Sequence, residues 1–316
     1  MTSHCDSPKL LTIVFPAYNE ELVLPSFLKI LEEQAESLSL RTNYIAINDG
    51  SIDQTEQILD DWVLSGQNRK VIHLSRNFGH QAAISAALDH ADGDAVVILD
   101  SDLQDSPEII KELLIQFESG AEVVYVVKTS RESSKVLKFC YKIFYKLLSR
   151  LSHITIPEDS GDFCLLSKRV VIALRSLKET HVFHRGLRSW VGFKQVAVTV
   201  NRPDRKLGKS KYNSAKLFKL AFDGILSFSI VPLRMFGVIG LVTLIFSFLF
   251  AAYSIYIKLF TNSSPTGFTA IICLITFLFG VQLMSTWILG EYIGRIFEES
   301  KKRPRYVIDR INSSPQ

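Results

Sequence analysis

Two stretches toward the C-terminal end of the chain carry no charge at all. Residues 235–257 form a run of 23 uncharged positions and residues 259–290 a run of 32, divided by Lys258. About 20 apolar residues in helical form cross a bilayer core, so each run is long enough to span one. Thr261-Asn262-Ser263-Ser264-Pro265-Thr266-Gly267 supplies turn residues near the division. Helices buried in a water-soluble domain keep a polar face, and these runs have almost none. The expectation is a two-helix transmembrane hairpin over residues 232–290, with helices at about 232–257 and 268–290.

The placement of Lys and Arg orients that hairpin. Arg205, Lys206, Lys209, Lys211, Lys216, Lys219 and Arg234 precede it, and Arg295, Lys301, Lys302, Arg303 and Arg305 follow it. The connection offers only Lys258, which can snorkel from a helix end. Both flanks are therefore expected on the cytoplasmic side. Met1-Thr2-Ser3-His4-Cys5-Asp6 shows no basic segment leading into an apolar core, so no signal peptide is expected to export the front of the chain. The division that follows is a cytoplasmic domain at 1–204, a basic, amphipathic juxtamembrane segment at 205–231, the hairpin, and a basic cytoplasmic tail at 291–316.

Several classes of function are set aside by the same pattern. The formal net charge of +4 is mild, and the basic residues flank the apolar runs, where anionic lipid is a simpler partner than nucleic acid. Two spans without a buried charge make no transport pathway. Cys5, Cys140, Cys164 and Cys273 have no paired spacing, which suits a reducing compartment. His181 and His184 are three apart, but no other ligand cluster accompanies them as a zinc motif requires.

The first two hundred residues alternate short apolar runs with longer helical patterns. Runs at 10–15, 44–47, 71–74, 95–99 and 123–127 predict strands, and 20–38, 53–64, 81–90 and 107–118 carry helical spacing. This order predicts a mainly parallel sheet with helices on both faces. No Gly-x-Gly-x-x-Gly follows any strand, so a dinucleotide site is not expected. Four strands run into polar ends: Pro16-Ala17-Tyr18-Asn19-Glu20-Glu21, Asn48-Asp49-Gly50-Ser51-Ile52-Asp53-Gln54-Thr55, Ser75-Arg76-Asn77-Phe78-Gly79-His80 and Asp100-Ser101-Asp102-Leu103-Gln104-Asp105. Ligands of open α/β sheets bind at the carboxyl ends of the strands. An Asp-x-Asp pair there, Asp100 and Asp102, is suited to a hard divalent cation against nucleotide phosphates. Polar strand ends also occur as plain helix caps, which Asp53 fits equally, and Glu21 reads better as a solvated first-turn residue.

These motifs together resemble the family 2 glycosyltransferases, which have the GT-A fold. Ser160-Gly161-Asp162-Phe163 and Arg205-Lys206-Leu207-Gly208-Lys209-Ser210-Lys211-Tyr212 resemble the members that glycosylate polyprenyl phosphates, such as bactoprenol glucosyltransferases and dolichol-phosphate mannose synthases. Ser75-Arg76-Asn77-Phe78-Gly79 and Gly290-Glu291-Tyr292-Ile293-Gly294-Arg295 are similar to the bacterial bactoprenol branch, which implies an integral protein of the cell inner membrane.

The resemblance implies roles residue by residue. Pro16, Tyr18 and Glu20 would line the nucleoside, and Asp49 would hydrogen-bond the base. Asp100 and Ser101 would lie near the ribose and diphosphate, and Asp102 and Gln104 would ligate Mg²⁺ or Mn²⁺. Asp162 would face the reacting centre, as orienting group or base, although it also reads as a turn residue. Lys128, Arg131, Arg205, Ser210 and Lys211 would meet the acceptor or its phosphate, with a solvated basic linker as the plainer reading of Arg205 and Lys211. The implied reaction is inverting transfer of a hexose, UDP-glucose being the first choice of donor, to undecaprenyl or another polyprenyl phosphate. GDP-mannose and UDP-N-acetylhexosamine stay open as donors, and a silent scaffold of the same fold stays open as a rival. A homo-oligomer is compatible with a lone hairpin.

Such an acceptor keeps its tail in the bilayer, so membrane-facing segments are expected. In residues 137–152, Lys138, Lys142, Lys146 and Arg150 recur every four positions and give a helix one basic stripe. Residues 214–228 lead from the basic motif to the first apolar run. Either segment could instead pack on the sheet or on another subunit.

Overall fold

The strand β1 (Leu10–Ala17) is buried from Leu11 onward on both of its faces. A strand of this kind belongs at the centre of a sheet covered by helices on either side. The computed structural model, which describes residues 8–103, 106–129, 160–180, 182–201, 231–261 and 267–314, places it there. β1 pairs in parallel with β2 (Arg41–Asn48) and β4 (Ala95–Ile98), and β2 pairs in parallel with β3 (Arg69–Leu74). These strands and β5 (Val123–Thr129) lie where the hydropathy predicts them.

The helices lie near their predicted spans: α1 (Leu24–Ser37), α2 (Thr55–Leu64), α3 (His80–His90) and α4 (Ile110–Glu118), the last entered through a 3₁₀ turn at Pro107–Ile109. Leu11, Ile13 and Phe15 point to the face covered by α1, α2 and α4, where Phe27, Trp62 and Leu113 meet them. Val14 points to the other face, packed by Ala83, Ile84 and Ala87 of α3 and by Val170 and Val171 of α5 (Lys168–Ser176). Phe15 stands edge-on to Phe27 and Trp62, with ring centroids 5.1 and 5.7 Å away.

The sheet is mixed, more so than the expected mainly parallel arrangement. Its order is β7-β5-β6-β4-β1-β2-β3-β8. β6 (Ser160–Ser167) runs antiparallel to both β4 and β5, while β7 (Gln195–Asn201) is parallel to β5. The short helix α6 (His184–Trp190) lies between α5 and β7 in the chain.

Two long helices follow, α7 (Val231–Thr261, 31 residues) and α8 (Phe268–Ser300, 33 residues), and they pack on each other. At 1.5 Å per residue they are about 46 and 50 Å long. Several side chains along both fall outside the described residues, and among the described residues no helix is long and apolar enough to cross a membrane. Residues 291–300, expected in a basic tail, continue α8. The rest of that tail contains β8 (Ile308–Ser313), which closes the far edge of the sheet antiparallel to β3.

Phe15 is fully buried, so Phe15→Ala should cost about 3–5 kcal/mol of stability, read by denaturant unfolding of the full chain in detergent. A loss below about 1 kcal/mol would mean that Phe27 and Trp62 collapse into the space and that this cluster is not tightly packed.

Candidate active site

Polar groups at the carboxyl ends of β1 and β2 are tied to each other first. Asn19 N–H donates to Ser51 Oγ at 3.1 Å, Glu20 N–H to Thr55 Oγ1 at 2.9 Å and Glu21 N–H to Asp53 Oδ2 at 3.2 Å. In return, Ile52 N–H donates to Asn19 Oδ1 at 2.9 Å and Gln54 N–H to Glu21 Oε2 at 3.0 Å. Loop N–H groups that no strand or helix satisfies find side-chain oxygens here, which makes the two loops one rigid wall. Gly50, in the loop after β2, has φ +64° and meets the loop after β3 closely, since a Cβ there would lie 2.4 Å from the backbone carbon of Arg76. Only glycine fits both the conformation and the gap.

Three residues expected to face the donor are absorbed into this framework. The Asp49 carboxylate is buried and accepts from Phe78 N–H at 2.8 Å and Gly79 N–H at 2.9 Å, bracing the loop after β3. Burial raises its pKa, outweighing those two hydrogen bonds. Asp49 thus uses one acceptor site on each oxygen as a brace, and each oxygen keeps a further lone pair. Ser101 is buried and donates to the Pro16 carbonyl at 2.8 Å, pinning the turn after β4 to β1. Pro16 itself lies buried within β1. Tyr18, 42% exposed, is left at the rim with Glu20, and Asp102 sits half-buried in the turn after β4.

Next to this wall the structure brings four charged side chains together from four elements. His80, the first residue of α3, places Nε2 3.4 Å from Asp100 Oδ1 and 3.5 Å from Asp162 Oδ2. Asp162, on β6, is buried and held by Arg185 of α6 through two parallel bonds of 2.9 Å, Nε to Oδ1 and Nη2 to Oδ2. Paired bonds of this type fix direction as well as distance. Burial alone would raise the Asp162 pKa, but Arg185 and His80 outweigh it and hold the carboxyl well below the usual range. Burial also opposes charge on His80, and there the bond to Asp162 and the field of Asp100 prevail, so its pKa is raised.

α6 is seated by its own buried contacts. His184 N–H donates to Gln81 Oε1 at 2.8 Å, and its Nε2 lies 3.0 Å from the Gln81 carbonyl. Burial pushes the His184 pKa down to about 4, so the ring is neutral and acts as a strut between α6 and α3. One turn on from Arg185, Arg188 donates to the Gly161 carbonyl at 3.3 Å and covers the Tyr125 ring at 4.9 Å.

Asp162 was expected at the reacting centre and Asp100 near the ribose and diphosphate, and the structure brings both to one histidine. His80 and Arg185 were missed. His80 carried a readable signal, since it follows a glycine at the carboxyl end of a strand. Arg185 carried none, because the chain reaches it long after the strands it serves. Lys128 falls in β5 with its side chain outside the described residues, and Gln104, Arg131, Arg205, Ser210, Lys211 and the segments 137–152 and 214–228 lie outside them altogether. Among the described residues no three His, Cys, Asp or Glu side chains form a metal cluster. Asp100 and Asp102 are nevertheless hard oxygen donors of the kind that bind Mg²⁺ with one or two carboxylates, the remaining ligands coming from substrate phosphates and water.

The linkage signs give a test. His80 has a folded pKa above its ordinary 6.5, so its stabilising contribution is complete below that value and disappears as pH rises through the raised one. The stability advantage of the native chain over His80→Gln should therefore shrink from mildly acid to mildly alkaline pH in thermal unfolding. A constant advantage would separate His80 from the two carboxylates. Asp162→Asn should cost about 1.5–3 kcal/mol in the same unfolding measurement, because it removes the charge from a paired hydrogen-bonded contact with a part-buried guanidinium.

The family model for glycosyl transferase family 2 matches residues 12–175. An uncharacterised glycosyltransferase of Bacillus subtilis is 42% identical over 300 residues, covering 95% of this chain and 93% of that protein. The bactoprenol glucosyl transferase of Shigella phage SfV is 40% identical over 299 residues, covering 94% and 97%. A prophage bactoprenol glucosyl transferase homolog of Escherichia coli is 38% identical, covering 95% and 99%. Among solved structures, glucosyl-3-phosphoglycerate synthase from Mycobacterium tuberculosis superposes with a TM-score of 0.50 at 19% identity, over 69% of this chain and 76% of that one, a likeness of fold. The chain belongs to glycosyl transferase family 2 and is a glycosyltransferase.

Proposed function

We propose that the chain transfers glucose from UDP-glucose to undecaprenyl or another polyprenyl phosphate, with inversion, at the cytoplasmic face of the inner membrane. The observation that carries this reading is the similarity at 38–40% identity, over 94–95% of the chain, to proteins named as bactoprenol glucosyl transferases or their homologues. Similarity of that extent includes the strand-end motifs and the apolar helices together.

The geometry supports the same chemistry. The nucleophile would be a lipid phosphate oxygen, already anionic near neutral pH, so no strong general base is needed. Asp162, clamped by Arg185 and held at low pKa, is a poor proton acceptor and a good fixed anion. Its role would be to orient His80 and the sugar. His80, half-exposed, can donate toward the crevice as well as to Asp100. Tyr18 offers an exposed ring to the nucleoside. Asp102 would hold Mg²⁺ or Mn²⁺, with Asp100 next to it and Gln104 as the second ligand that the resemblance implies. When bound, the ion would supply positive charge against the leaving diphosphate. Arg205, Ser210 and Lys211, with Lys128 and Arg131, would meet the phosphates.

The membrane reading rests on the two uncharged runs and their basic flanks. Exposed apolar side chains along α7 and α8, among them Phe246, Phe248, Leu249, Phe277 and Trp287, agree with a lipid-facing hairpin. Association of several hairpins is part of the same proposal.

The test is sugar transfer from a panel of labelled nucleotide sugars to undecaprenyl phosphate, by purified protein in detergent with Mg²⁺, Mn²⁺ or EDTA. The expected outcome is one EDTA-sensitive lipid-linked product, formed from UDP-glucose. Asp102→Ala should lower turnover about a hundredfold or more while leaving thermal unfolding unchanged. Failure of every donor with both metals would remove the lipid acceptor.

A further inference from the structure

Resting on that reading of the donor site, we propose that β8 is a positioning element for the nucleotide-binding loops, acting through the relay Asp60–His73–Asn48. The relay starts on the edge strand. β8 pairs with β3 so that Arg310 lies opposite His73 and Asn312 opposite Val71. Two residues apart, Arg310 and Asn312 share one face of the strand. Arg310 Nη2 donates to Asp60 Oδ2 of α2 at 2.7 Å and to Glu56 Oε1 at 2.6 Å, and Asn312 Nδ2 donates to Asp60 Oδ1 at 2.7 Å.

Asp60 in turn receives His73. His73 Nε2 lies 2.9 Å from Asp60 Oδ1, and its Nδ1 lies 3.0 Å from Asn48 Nδ2. The orientation of each group is forced. Ser51 N–H donates to Asn48 Oδ1 at 3.0 Å, which turns the Asn48 amide nitrogen toward His73. Nδ1 must therefore accept, and the ring proton sits on Nε2, aimed at Asp60. Asn48 and His73 are almost completely buried, at 1% and 2% exposure, so a broken link leaves a polar group without water. Burial raises the Asp60 pKa, but the bonds from Arg310, Asn312 and His73 outweigh it and keep the carboxylate ionised.

At its far end the relay reaches the candidate donor pocket. Ser51, whose backbone Asn48 holds, accepts from Asn19 N–H through Oγ at 3.1 Å. The loops after β1 and β2 are thereby set by a strand that enters the sheet only after both long helices. No active-site contact by β8 itself is required.

The test compares the full chain with the double variant Arg310→Leu/Asn312→Leu and with Arg310→Lys, all in detergent. Both altered positions lie outside the reacting cluster. In the double variant, UDP dissociation and the KM for UDP-glucose should rise about fivefold, with kcat and the KM for undecaprenyl phosphate within about twofold of native, as loss of loop placement implies. Arg310→Lys, which retains a cationic donor, should recover most of that affinity. Hydrogen exchange of the Ser51 amide in the ligand-free protein should accelerate about tenfold in the double variant. Unchanged exchange at Ser51, or a fall in kcat with unaltered donor KM, would overturn the proposal. If the native chain binds no UDP, the donor assignment fails by itself, and the exchange measurement alone decides the relay.

Discussion

Burial of β1 on both faces sets the terms for everything else in the molecule. A strand covered by α1, α2 and α4 on one side and by α3 and α5 on the other has apolar side chains at every position but Thr12. Polar chemistry is displaced to where the strand stops. There the backbone leaves the sheet hydrogen bonds and its N–H groups need new partners. Asn19, Ser51, Asp53 and Thr55 supply them across the gap between two loops. The crevice is a consequence of finishing a doubly buried strand.

That requirement divides the strand-end residues into two groups which the sequence does not distinguish. Asn48, Asp49, Ser51 and Ser101 look like ligand-binding residues because they are polar, clustered and at the correct edge. Their side chains also brace neighbouring backbone or His73. Tyr18, Asp100, Asp102 and His80 stand at the crevice. A motif of this family thus contains the brace as well as the contact surface, and only coordinates separate them. Substituting a brace would move several contact residues together, so loss of activity in such a variant is not evidence of substrate contact.

The legibility of the fold followed the range of the forces involved. The parallel half of the sheet was readable because continuous runs such as 10–15 and 95–99 can be buried only inside a covered sheet. β7 is marked only by Val196, Val198 and Val200 at alternate positions, a weak pattern because Ala197 interrupts the polar face and the stretch is short. β6 was hidden by its opening Ser160-Gly161-Asp162, which reads as a turn until Phe163 and Leu165 are seen in the core. β8 was hidden more deeply. Ile308-Asp309-Arg310-Ile311-Asn312-Ser313 has the composition of a solvated tail, and it is a strand because β3 presents it with an open edge. The partner of a strand is not written in the strand.

The same distinction governs the charged cluster. Asp162 in isolation has the features of a general base at a strand end, and the structure sets it against His80, which also faces Asp100. Its chemistry is decided by Arg185, which arrives on a helix seated by the neutral His184. A buried carboxylate without that guanidinium would have a raised pKa and could take a proton. With it, the group is a permanent anion whose position is fixed by two parallel hydrogen bonds. The anionic acceptor proposed above would make this arrangement workable, because it would bring its own nucleophilic oxygen and leave the protein to provide placement and charge balance.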